Sequence, residues 1–111
     1  MDRELKRGTL EMVLLQLLAE RDRYGYELTS ELVERSGGGF EVKDGTLYPV
    51  LYRLEKAGSV EPYWETQERG VPRKYYRITE EGRWVLGDLL QEWEAFVSSV
   101  SNIMRTGASH E

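Results

Sequence analysis

Leu10, Val13, Leu14, Leu17 and Leu18 recur at the three- and four-residue intervals that line one face of an α-helix. Thr9 precedes them as an N-cap, and the charged run at 20–23 closes the segment near residue 22, which predicts a first helix with one buried stripe. Leu28 and Leu32 stand one turn apart behind Gly25, and glycines at 37, 38 and 39 stop a second helix predicted over 24–36. In "DGTLYPVLYRLEKAG", residues 44–58, Leu47, Val50, Leu51 and Leu54 again repeat as a helix does. Pro49 has no N–H and fits the first helical turn, so Thr46 is the expected N-cap in place of Asp44. "FEV", residues 40–42, alternates apolar and charged positions and predicts a very short strand in need of a partner.

After Gly58 the period shortens to two. Segments 59–66 and 73–79 read as strands of a hairpin joined by the turn-forming "QERGVP", with Pro62 keeping the first at an edge or cutting it short. Thr79, followed by Glu80 and Glu81 in the first turn, caps a helix predicted to run to about Met104. Such a helix is roughly 39 Å long, more than a small domain buries alone. Leu86, Leu90, Trp93, Val97, Val100 and Met104 follow the alternating spacing of a coiled-coil seam, and Leu89, Phe96 and Ile103 widen it. Gly87 weakens the middle, and the last six residues read as a frayed tail. The fold class this order predicts is mainly α with a small β-hairpin wing: a winged helix-turn-helix over 1–78 and a long C-terminal dimerisation helix and tail over 79–111.

Composition narrows the chemistry. The 111 residues, 40% hydrophobic, suffice for one core, and with no cysteine there is neither a disulfide framework nor a thiolate metal site. Glu11 and Gln16 interrupt the apolar run after Leu10, so neither a signal peptide nor a membrane span is expected, and cytoplasmic residence is the expectation. The single histidine, His110, falls in the predicted tail, which leaves no Ser-His-Asp, Cys-His or His-rich metal constellation; Glu80 and Glu81 read as helix-dipole partners. No enzymatic activity, cofactor or metal is expected.

A net charge of −5 argues against a nucleic-acid partner when taken alone, yet its distribution matters more. Residues 79–111 hold six acids against two bases, whereas 69–78 hold Arg69, Arg73, Lys74 and Arg77 and no acid. The third helix is also unusual, because Tyr48, Pro49, Tyr52 and Arg53 occupy positions where Glu and Lys are usual. A helix laid in a DNA major groove needs such a face, since tyrosine hydroxyls contact phosphate beside Lys and Arg. Exposed tyrosines also serve protein interfaces, and a basic turn is commonly just solvated, so a winged-helix protein-interaction module without DNA binding stands as the alternative.

"GTLYPVLYRLEKAG" followed by "RKYYRITEEG", with "YGYEL" in the second helix, resembles the PadR family of bacterial transcriptional regulators over about residues 8–104. The single C-terminal helix is similar to the smaller subfamily. The resemblance implies a sequence-specific DNA-binding regulator, a homodimeric repressor on a near-palindromic double-stranded operator, released by a small aromatic or drug-like effector. DNA contacts are then expected from Thr46, Tyr48, Pro49, Tyr52, Arg53 and Lys56 on the third helix and from Arg69, Arg73 and Lys74 on the wing. Dimerisation is expected through Leu86, Leu89, Leu90, Trp93, Phe96, Val97, Val100 and Met104, part of which can instead fold back along the first helix of the same chain; Trp93 is expected to bind the effector or to serve as core packing, with Trp84 assisting in either role.

Overall fold

In the computed structural model, which describes residues 3–109, the chain runs α1 (Arg3–Glu20), β1 (Arg23–Tyr24), α2 (Gly25–Arg35), α3 (Asp44–Lys56), β2 (Val60–Glu65), β3 (Arg73–Ile78) and α4 (Glu80–Ser109). Leucines build the core: Leu10, Leu14 and Leu18 of α1, joined by Leu15 from outside the expected stripe, meet Leu28 of α2 and Leu47 and Leu51 of α3, all of them fully buried. Burying a leucine is worth about 1.5–3 kcal/mol, so this interlock of three helices sets the platform on which α3 is presented.

The sheet has the antiparallel order β1-β3-β2. β2 and β3 pair from Val60↔Ile78 to Glu65↔Arg73, and β1 fills the other edge of β3 through Arg23↔Tyr76 and Tyr24↔Tyr75. The expected strand at residues 40–42 is therefore corrected: Val42 is buried as part of an irregular segment, Phe40 packs on the core, and the place beside β3 belongs to β1. Arg23 makes that edge possible. Its buried guanidinium donates from Nε to the Leu17 carbonyl (3.1 Å) and lies 3.1 Å from Glu20 and 3.7 Å from Glu31, so its charge is compensated within the core.

Three helix boundaries also differ from expectation. α1 starts at Arg3, which makes Thr9 an interior residue and not a cap, because the helix-forming stretch from Arg3 to Lys6 carries the helix through Gly8. α3 starts at Asp44 with Lys43 at the N-cap, so Thr46 lies within its first turn and Pro49 inside the helix. The N–H that Pro49 lacks would have met the carbonyl of Gly45, an exposed residue. α4 passes Gly87 unbroken and continues beyond Met104 to Ser109, through most of the expected tail; His110 lies outside the described residues.

The joints are local chemistry. α3 ends in a Schellman motif, the Ser59 N–H donating to the Leu54 carbonyl (2.9 Å) and the Gly58 N–H to that of Glu55 (3.0 Å), with Gly58 at φ +80°. Thr79 caps α4 as the sequence suggests: its hydroxyl accepts from the Gly82 N–H (2.9 Å) and donates to the Gly58 carbonyl (2.6 Å). The long helix is thereby fixed to the α3–β2 turn.

Candidate nucleic-acid interface

α3 divides cleanly. Leu47, Val50, Leu51 and Leu54 are buried, whereas Thr46, Tyr48, Pro49, Tyr52, Arg53 and Lys56 are exposed. These six residues do not behave alike. The Lys56 ammonium lies 5.4 Å from the Tyr52 ring centroid, a pairing of adjacent turns that keeps both on the outer face. Arg53 turns toward α1, its Nε 3.6 Å from a Glu11 carboxylate oxygen. Tyr48 is 44% exposed, with its ring leaning back over Gly25. A Cβ at Gly25 would collide with the Tyr48 hydroxyl, so the glycine of "YGYEL" is what lets α3 lie close to the start of α2.

In the wing, the strand period sorts side chains onto two faces. The cross-strand pairs Val60–Ile78, Pro62–Tyr76 and Trp64–Lys74 share the face that continues into the core, whereas Glu61–Arg77, Tyr63–Tyr75 and Glu65–Arg73 share the other. Arg73 and Lys74, consecutive in the chain, thus point to opposite sides. The Lys74 ammonium sits 5.6 Å from the Tyr76 ring centroid, and the Arg73 guanidinium lies 4.6 Å over Tyr24. Arg77 lies 5.0 Å over Tyr63 and 3.5 Å from a Glu61 oxygen; Arg69 is exposed in the turn at the tip.

Reading residues singly misses this outer face: Tyr24, Tyr75 and Tyr63 form a ladder with centroids 5.4 and 5.7 Å apart, interleaved with the two arginines. The alternation in "RKYYRI" was the available signal. Sequence reasoning also left out Trp64, exposed beside Lys74, and the buried Tyr76.

The phenols stay protonated. A hydrogen bond to Asp22 (2.7 Å), with partial burial, pushes Tyr63 up to about 12. Burial raises Tyr48, with Asp44 adding to it, and burial raises Tyr76, with Tyr48 and Glu55 adding to it. Each is therefore a hydrogen-bond donor at neutral pH.

Along α4 the apolar stripe has two fates. Leu86 is buried, and Leu89 and Leu90 pack against the same core, so these three are covered by their own chain. Trp93 is 37% exposed, and Phe96, Val97, Val100, Ile103 and Met104 are exposed beyond it. Gly8, Thr9 and Met12 of α1 and Leu89, Glu92, Trp93 and Phe96 of α4 line a groove of about 260 Å³. Trp84, two and a half turns before Trp93, is exposed on the opposite side of α4 and lines a separate depression with Arg83 and Gln91, so it cannot assist Trp93 within one chain. Among the described residues no helix is long and apolar enough to cross a membrane, and no three His, Asp or Glu side chains gather as metal ligands.

Comparison with known proteins agrees with this architecture. Residues 14–88 match the transcriptional regulator PadR-like family. A transcriptional regulator of Mycobacterium tuberculosis is 37% identical over 81 residues, covering 73% of this chain and 72% of its own. A solved transcriptional regulator from Clostridium thermocellum superposes with a TM-score of 0.82 at 32% identity, over 89% of this chain and 96% of that one. One from Eggerthella lenta, described as a PadR family transcriptional regulator, gives a TM-score of 0.79 at 38% identity, over 91% and 86%.

Proposed function

The chain belongs to the PadR-like family of transcriptional regulators, and from that premise we propose that it acts as a homodimeric repressor on a near-palindromic DNA operator. The observation that carries this reading is the outer face of α3, where Tyr48, Pro49, Tyr52, Arg53 and Lys56 are exposed together and the helix's two carboxylates, Asp44 and Glu55, stand only towards its ends. In this reading α3 enters the major groove, Tyr48, Tyr52 and Lys56 meet phosphates and base edges, and Thr46 and Pro49 line its leading end. Arg53, tethered to Glu11, is a flanking contact. Arg69, Arg73 and Lys74 carry the wing into the neighbouring minor groove.

Residues 79–111 serve dimerisation, with the partner's α4 covering Trp93, Phe96, Val97, Val100 and Met104, while Leu86, Leu89 and Leu90 stiffen the root of the helix. Two-fold symmetry then sets half-sites about 10 bp apart or a multiple of that. The groove beside Trp93 suits a flat aromatic effector, whose binding would quench Trp93 fluorescence as it weakens DNA binding.

The test is the salt dependence of binding to the intergenic DNA next to the gene. Affinity should fall steeply with ionic strength, and Lys74→Ala should lower the slope of log K against log salt by about one unit while weakening all sequences alike. Binding insensitive to salt would instead favour a protein-interaction module.

A further inference from the structure

Between α1, α2 and the segment that follows α2 lies a pocket of about 210 Å³ that shares no residue with the groove beside Trp93. Its apolar lining comes from Val13 and Leu17 of α1, Leu32 of α2 and Phe40; Leu17 and Leu32 are buried, while Val13 and Phe40 are half-buried against the core. An apolar cavity of about 150 Å³ holds a benzene molecule, so this one has room for a single ring with a short substituent.

The charged groups of its wall are already matched. Arg35 donates from Nε to Glu31 (2.7 Å) and from Nη1 to Glu20 (2.9 Å), and the Arg23 guanidinium lies 3.7 Å from Glu31 and 3.1 Å from Glu20. Two guanidiniums thus face two carboxylates, and a ligand with a net charge would lose hydration there without meeting an unmatched opposite charge. The pocket fits an uncharged ring.

Phe40 links the pocket to α3. Gly37, Gly38 and Gly39 separate it from α2, the first two at φ +62° and +88°, backbone that a side chain would strain, and the Phe40 N–H donates to the Ser36 hydroxyl (2.8 Å). Val42, two residues on, is buried in the core, and the next carbonyl, that of Lys43, accepts the Thr46 and Leu47 N–H groups (2.9 Å each) in the first turn of α3. A molecule lodged against the Phe40 ring therefore presses on a segment of four residues that ends in α3. We propose that this pocket binds a small uncharged hydrocarbon ring, of the alkylbenzene or monocyclic-terpene class, and that the bound ring displaces Phe40 and with it the start of α3. The site stands independently of the DNA-binding reading above.

The experiment titrates the full-length chain, labelled at methyl and amide groups for NMR, with toluene. Shifts should saturate below the solubility limit of toluene at Val13, Leu17 and Leu32 and continue through the amides from Phe40 to Leu47, in the wild type and equally in Trp93→Phe. Benzoate and benzylamine, the same ring with a charge of either sign, should bind more weakly by about tenfold. Val13→Phe, which fills the pocket from a half-buried position, should abolish the shifts with Tm unchanged. Shifts lost in Trp93→Phe or kept in Val13→Phe, a charged analogue that binds as well as toluene, or amide shifts that stop at Phe40 would each overturn the proposal. Toluene binding that emerges only as the chain is diluted would overturn it too, by assigning the pocket to a second copy of the chain.

Discussion

Thr79 performs two functions with one oxygen, capping α4 through the Gly82 N–H and gripping the Gly58 carbonyl at the end of α3. Thr79→Ala should therefore cost more than an ordinary cap, about 2 kcal/mol, and lower Tm by several degrees, whereas Thr79→Ser should recover most of it; thermal unfolding followed by circular dichroism measures both. The cap was legible in the sequence because an N-cap depends on residues within one turn. Its second bond was not, since Gly58 lies 21 positions away and is brought close only by the hairpin. Arg23 shows the same limit. As part of a charged run it reads as solvent-facing, and only the convergence of Leu17, Glu20 and Glu31 around it explains how a guanidinium is buried.

At the level of elements, α1 and α2 are joined by an ionic belt in which Arg35 bonds Glu20 (2.9 Å) and Glu31 (2.7 Å) while Arg23 lies beneath them. The Arg35 hydrogen bond, followed by that from Gln16, lowers the Glu20 carboxyl from 4.5 to about 2. A carboxyl depressed in the folded state stabilises fully above its unfolded value and loses that contribution as it protonates. Urea midpoints should hence be flat from pH 7 to about 5 and fall between about 4.5 and 2, and Glu20→Gln should flatten that fall while being less stable at neutral pH. Elements with a long apolar period were readable in advance: α2, the core of α3, the hairpin and α4 all stand close to where the periodicity puts them. β1 was not, because two residues carry no period; the alternation of "FEV" mimicked the missing strand. The start of α3 lies one turn before the place Pro49 suggests, because exposed Gly45 leaves room for a proline one turn into the helix.

For the whole molecule, the extents of 64 × 29 × 21 Å show why the last stretch of α4 stays uncovered: the helix outruns the body that could bury it. If a second copy supplies the cover, Val100→Glu, placing a charge on the seam far from the proposed DNA-binding surface, should convert dimer to monomer in sedimentation experiments and cost operator affinity at least tenfold, with the circular dichroism spectrum retained. The spacing of Trp93, Val97, Val100 and Met104 announced that need from the sequence. That part of the stripe folds back on its own chain was also expected, and the structure says which part: Leu86, Leu89 and Leu90 go to the home core.

Because Thr79 joins α4 firmly to the turn behind α3, the root of the long helix is fixed to the end of the helix proposed to meet DNA. Thirty residues of continuous helix make a rod of about 45 Å. Tilting such a rod by about 10° sweeps its end through about 8 Å, more than one helical turn. A few degrees of change in how two rods cross would thus be enough to throw one reading head out of step with the other, converting a small disturbance among side chains into the difference between a duplex gripped at two places and one held at a single place.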